Sequence, residues 1–108
     1  MKIGIILQSN NPEHIWNTFR FAITSLKSNH KVVIFLMNEG SELDTIRDTK
    51  NFDISNKISE YKKLEGTIFA CGTCLEVRGK KGIGICPVST MSDLLKIVEE
   101  SDKVLVFG

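Results

Sequence analysis

Several kinds of signal are missing from this 108-residue sequence, and each absence narrows what the chain can be. There is no apolar run long enough for a signal-peptide core or a membrane span. The run at residues 3–7 gives way at once to Gln8, Ser9, Asn10 and Asn11. There is no excess of one charge: the net charge is +1, which gives no reason to expect a nucleic-acid or membrane partner. No glycine follows Gly4 in the first loop, so neither a phosphate-cradling loop nor the dinucleotide fingerprint is present, and no cofactor is expected. There is no second C-x-x-C and no H-x-x-x-H, and with only two histidines a metal site is not expected. Repeats, linkers and low-complexity tracts are also lacking, and the length suits one domain over residues 1–108 with a core that needs no staples. Cysteine is scarce and odd in number, three in all, which argues against a disulfide framework. A cytoplasmic location is expected, where such thiols are reactive or metal-binding more often than structural.

What is present is an alternation of strand and helix. Residues 2–7 are almost continuously apolar, as in a central strand covered on both faces. Asn11, Pro12 and Glu13 mark a helix start, with Asn as N-cap and Pro in the first turn. Ile15, Trp16, Phe19, Ala22, Ile23 and Leu26 then recur at helical spacing up to about residue 28, and Asn29 is placed as a left-handed stop. A second β-branched run at 31–37 completes a unit of the size of a right-handed βαβ crossover. A short helix capped by Ser41 is expected next, then one capped by Asp53, with Ile54, Ile58, Tyr61 and Leu64 inward and Gly66 ending it. Residues 67–71 read as a third strand, 83–88 as a weak one. Thr90 and Asp93 outline a capping box before a last helix whose buried face is Met91, Leu94, Leu95 and Val98, and residues 103–107 close as a strand. The sum is an α/β fold: a three-layer α/β/α sandwich, flavodoxin-like, on a mostly parallel sheet of four or five strands. In such sheets the reactive groups sit beyond the carboxyl ends of the strands, which makes neighbours of loop 8–11, loop 38–41 and the cysteine motif.

That motif, Ala70-Cys71-Gly72-Thr73-Cys74-Leu75, follows the third strand directly. Two thiols at this spacing serve redox cycling, sulfur carriage or metal ligation, or are simply buried. Thr73 can cap a helix beginning near Cys74. A thiolate there gains from the unpaired N–H groups and the positive end of the dipole, and Gly72 allows close backbone approach. Cys86 is a candidate resolving thiol or third ligand, or a strand-end cysteine. Arg78, Lys80 and Lys81 form a basic stretch able to attract an anionic sulfur donor or an acidic partner, or merely a solvated loop.

The run 11–13, the helix segment 16–22, the strand end 33–37 with Glu39 and Gly40, the Ala70 to Leu75 motif with Arg78 and Gly79, and the stretch from Ser89 to Phe107 together resemble the DsrE/DsrF-like family. The resemblance implies a small α/β sandwich that forms homo-oligomers, commonly trimers or hexamers. In sulfur-relay members it implies sulfur carried as a cysteine persulfide. The relay cysteine of those members is followed eight residues later by a glycine preceded by arginine, a register that falls here on Cys71, Arg78 and Gly79. Cys71 is therefore the expected nucleophile, with Cys74 assisting and Cys86, Gly72, Thr73, Arg78 and Asn11 auxiliary. The expected function is a sulfur carrier or sulfurtransferase-like protein passing sulfur between donor and acceptor proteins. A thiol-disulfide protein using Cys71 and Cys74 is the alternative, and a non-catalytic metal-binding or assembly module the next.

Overall fold

The computed structural model describes residues 1–80, 84 and 87–108. Its elements run β1 (Lys2–Leu7), α1 (Pro12–Lys27), β2 (Lys31–Leu36), a 3-10 helix (Asn38–Thr45), α2 (Ile54–Lys63), β3 (Thr67–Cys71), α3 (Gly72–Val77), β4 (Val88–Ser89), α4 (Met91–Glu100) and β5 (Lys103–Phe107). The five strands form one sheet in the order β4-β3-β2-β1-β5, with every pairing parallel. The chain thus steps outward from β1 through β2 and β3 to β4, then returns across the sheet to lay β5 on the other side of β1. With right-handed crossovers, this reversal puts α1 and α2 on one face and α4 on the other. Cys86 and the other expected strand residues Ile83 and Ile85 lie outside the described residues.

Strand alternation divides the apolar side chains between the two faces. Ile3, Ile5 and Leu7, Val32, Ile34 and Leu36, and Ile68 and Ala70 join Ile15, Phe19, Ala22, Ile54 and Tyr61 in the buried core under α1 and α2. Phe19 and Tyr61 meet edge to face at 5.5 Å, and the Tyr61 hydroxyl donates to the carbonyls of Thr67 and Val32 at 2.8 and 3.1 Å. The opposite face is more thinly covered. Gly4 lets α4 approach, since a Cβ there would stand 2.7 Å from Ser101 Oγ and 3.2 Å from Ile97 Cγ2. No residue of α4 is fully buried.

Local signals explain most element ends. Asn11 Oδ1 accepts from the N–H groups of Glu13 and His14, and Asn29 adopts φ 68° just after α1. Thr90 and Asp93 complete a capping box, each side chain accepting from the other's backbone N–H.

Other expectations are corrected. The segment after β2 starts at Asn38, not at a Ser41 cap, and winds as a 3-10 helix because Gly40 is pressed onto the end of β1: a Cβ on it would lie 2.1 Å from Leu7 O. Asp53 makes no capping bond. Its carboxylate accepts from Trp16 Nε1 at 3.1 Å, and Asp48 Oδ1 instead accepts from the Ser55 N–H in the first turn of α2. The left-handed residue after α2 is Glu65, φ 67°, not Gly66. The stripe Met91, Leu95 and Val98 faces outward, at 52%, 58% and 41% exposure, because the sheet below α4 accommodates only its Leu94 and Ile97 side.

Candidate functional site

The carboxyl ends of β1, β2 and β3 bring three loops together, as the topology requires. Asn38, the first residue beyond Met37, stands in the left-handed region at φ 50°, a conformation asparagine tolerates better than most residues. Its amide donates to Gln8 Oε1 at 3.0 Å, tying the β2 loop to the β1 loop. Its backbone N–H, turned away from the strand ladder, donates to Cys74 Sγ at 3.3 Å.

The two thiols occupy different environments. Cys71 ends β3 and is itself the residue from which α3 starts, so Thr73 does not cap that helix and stands exposed in its first turn. Cys71 is 2% exposed; Cys74, one helical turn on, is partly open to solvent, and both are free thiols. Burial pushes the Cys71 thiol up, and Cys74, toward which it directs its hydrogen, adds to the rise against opposing N–H groups of Cys74 and Thr73. Burial also works against charge on Cys74, but the Asn38 N–H, the Cys71 thiol, the Ser41 hydroxyl and the Arg78 guanidinium together hold it below the ordinary thiol range. The pair therefore consists of a covered, protonated thiol and a reachable sulfur disposed to be a thiolate.

Charged groups frame Cys74. Arg78 donates from Nη1 to the Cys74 carbonyl at 3.1 Å and from Nε to Glu42 Oε2 at 2.8 Å. The Arg78 hydrogen bond, with a second from Asn10 Nδ2, lowers the Glu42 carboxyl. Lys80 pairs with Asp44 and reaches the Ser41 carbonyl at 3.4 Å. Arg78 and Lys80 are thus committed to the 3-10 segment. Gly72 does allow a close approach, and what approaches is β4: a Cβ on it would meet Val88 Cγ1 at 3.1 Å and Ser89 O at 3.3 Å.

Of the expected residues, Cys71, Cys74, Gly72, Thr73 and Arg78 are therefore gathered at one place. Asn11 is not among them, its side-chain oxygen being engaged in capping α1, and Cys86 lies outside the described residues. Sequence reasoning named the loop of Asn38 but gave no role to Asn38 or Glu42, and to Ser41 only that of a helix cap. The available signal was an Asn and an acid just past a strand on the reactive edge, which is weak by itself. Among the described residues, no group of three or more His, Cys, Asp or Glu side chains is placed to hold a metal ion. No helix among them is long and apolar enough to cross a membrane.

Known proteins share this fold. The YchN protein of E. coli superposes with a TM-score of 0.82 at 21% identity, covering 99% of this chain and 100% of that one. A conserved protein of unknown function from Bacteroides thetaiotaomicron does so at 0.76, also 21% identical, with 97% and 93% covered. At that identity the likeness shows the fold alone. In sequence, an uncharacterized protein of Methanocaldococcus jannaschii is 30% identical over 115 residues, which cover 99% of this chain and all of the relative. One of Methanopyrus kandleri is 31% identical over 105 residues, covering 88% and 83%. The model of the DsrE/DsrF-like family matches residues 1–107, nearly the whole chain, and the chain belongs to that family.

Proposed function

We propose that the protein is a sulfur carrier, sulfurtransferase-like in its chemistry, that receives sulfur as a persulfide on the Cys71/Cys74 pair and passes it to a partner protein in the cytoplasm. The observation that supports this most is the division of labour between two thiols in contact: Cys74 reachable and held low, Cys71 covered and protonated. A carrier needs a thiolate to accept an outer sulfur and a sheltered place to hold it. On the register that singles out Cys71, its sulfur is the holding site. A persulfide there is shielded from solvent thiols by the same burial that covers the residue.

Intact-protein mass spectrometry after exposure to a persulfide donor, on wild type and on the Cys71→Ala, Cys74→Ala and Cys86→Ala variants, tests this. The expected result is a reductant-sensitive gain of one sulfur that Cys86→Ala retains, and that Cys71→Ala, left with only the solvent-open Cys74 of the pair, loses on standing with free thiol. The contact between the thiols also favours a second reading, a reversible Cys71–Cys74 disulfide. A loss of two hydrogens with no retained sulfur would establish that reading in place of the first.

The carrier is further proposed to act as a homo-oligomer, a trimer or hexamer, assembled through α4 and β5. Met91, Leu95 and Val98 on α4 and Val104 and Val106 on the same side of β5 are all exposed, and among the described residues β5 is an edge strand paired only with β1. Five large apolar side chains on successive elements are what a second copy of the chain would cover.

A further inference from the structure

Ser41 is completely buried, yet its Oγ is the one buried side-chain polar atom among the described residues that has no hydrogen-bond partner. Folding normally supplies a partner for such a group, since leaving it without one costs free energy that water would otherwise have provided. The hydroxyl lies close enough to Cys74 to help hold that thiol down, without forming a complete hydrogen bond to the sulfur. A hydroxyl hydrogen can rotate, and the acceptor within its reach becomes a strong one only when Cys74 carries charge. On the other side of the same sulfur, the Asn38 N–H is already aimed at 3.3 Å, and the left-handed backbone that aims it is fixed by the amide bond to Gln8. The approach to Cys71, by contrast, is closed.

We infer that Cys74, rather than Cys71, is the attacking sulfur of the pair, with the Asn38 N–H and the Ser41 hydroxyl as the two donors that position it. This reverses the order in which the motif would be used if the cysteine at the strand end attacked first. Joined to the carrier reading, on which the identity of the attacked group rests, the step is a simple displacement. The Cys74 thiolate attacks the outer sulfur of a donor persulfide, R–S–SH. The donor S–S bond breaks with its electron pair left on R–S⁻, and the product is Cys74–S–SH. Charge and atoms balance, and no oxidant is consumed. Cys71 then takes the outer sulfur by the same exchange, giving up its thiol proton as Cys74 regains one.

The groups that face Cys74 and can alter its titration are Cys71 from β3, Arg78 beyond α3, and, through Arg78, Glu39 and Glu42 of the 3-10 segment. The deciding experiment is iodoacetamide alkylation as a function of pH, with peptide mapping, on the wild type, Cys71→Ala, Cys74→Ala and Ser41→Ala, each also carrying Cys86→Ala. Cys74 is expected to be alkylated first at neutral pH. Ser41→Ala is expected to displace the rate profile toward higher pH, slowing alkylation at pH 7 by about threefold while leaving the alkaline plateau unchanged, as a half-unit rise in a thiol pKa would. A merely structural role for Ser41 would not move that profile. Alkylation of Cys71 ahead of Cys74, or a Ser41→Ala profile identical to wild type, overturns the inference. A parallel incubation with glutathione persulfide separates the two readings: if Cys74 is alkylated first and Ser41→Ala shifts the profile, but no sulfur is taken up, the attacking-thiol assignment stands and the carrier reading falls.

Discussion

Gly66 stands directly beneath the Tyr61 ring, and replacing it with alanine is a sharp test of how the core under α2 is built. A Cβ on residue 66 would lie 2.3 Å from Tyr61 Cζ, 2.4 Å from Cε1 and 2.6 Å from Cε2. Reaching an ordinary contact of 3.4 Å or more demands a ring displacement of about 1 Å. The ring is not the free end of a flexible chain. It is fully buried, set edge-on to Phe19, and anchored by a hydroxyl that donates to Thr67 O at 2.8 Å and Val32 O at 3.1 Å. Displacement of that size breaks the anchoring bonds and leaves the hydroxyl buried without a partner, about 1–3 kcal/mol. Overpacking of the surrounding core adds about 1–3 kcal/mol. Gly66→Ala should therefore destabilise by about 2–6 kcal/mol, measured by urea unfolding with an unchanged m-value. The double variant with Tyr61→Leu, which removes the ring, should show strong coupling, the two losses summing to more than the measured total. A Gly66→Ala protein within about 0.5 kcal/mol of wild type would refute the close-contact account. Because φ is positive at Glu65 and not at Gly66, the companion change Glu65→Gly should be neutral or mildly stabilising.

Removal of the α4 capping box by Thr90→Ala should cost about 1 kcal/mol in the same assay. Arg78→Ala should raise the pH at which Cys74 is alkylated, and high salt should move the wild-type profile part of the way toward the variant, since screening weakens the same attraction. Glu42 has a folded-state pKa below its unfolded one, so its contribution to stability is present above the unfolded value and is lost as pH falls through the depressed folded value. Glu42→Gln should remove that part of the acid dependence in pH-resolved thermal melts. Leu95→Asp, at a position 58% exposed, should leave the monomer fold intact and convert the proposed homo-oligomer to smaller species in light scattering; an unchanged molar mass would refute the interface proposed at α4 and β5.

Much of the fold was legible in the sequence because its signals are local. Continuous apolar runs at β1 and β2 match strands flanked on both sides, and Asn11, Asn29 and the Thr90–Asp93 pair each act on backbone groups only a few residues away. The gathering of three loops at one edge followed from topology alone. What escaped depended on contacts between distant segments. Gly66 reads as a helix stop, but Glu65 makes the turn and glycine is required by a ring five residues back in the chain. The apolar stripe of α4 is correctly located by periodicity, which cannot say what covers it. At the site, the spacing of Cys71 and Cys74 was plain, whereas their unequal state was not. Cys71 is covered because it ends a strand against the sheet, and Cys74 is restrained by Asn38, a residue 36 positions away.

The sheet order carries a consequence for how the chain is made. β1, the first of the five strands to leave a ribosome, occupies a place between β2 and β5, and β5 emerges after the other four. Until β5 emerges, one side of β1 has backbone groups with no ladder partner, while β2 and β3 can already assemble against its other side. The nascent chain therefore passes through a stage with an open, apolar, parallel edge, a surface prone to pairing with other chains. Slow codons placed before α4 would prolong that stage, and chaperones that bind extended apolar segments would find their target in β1 during it.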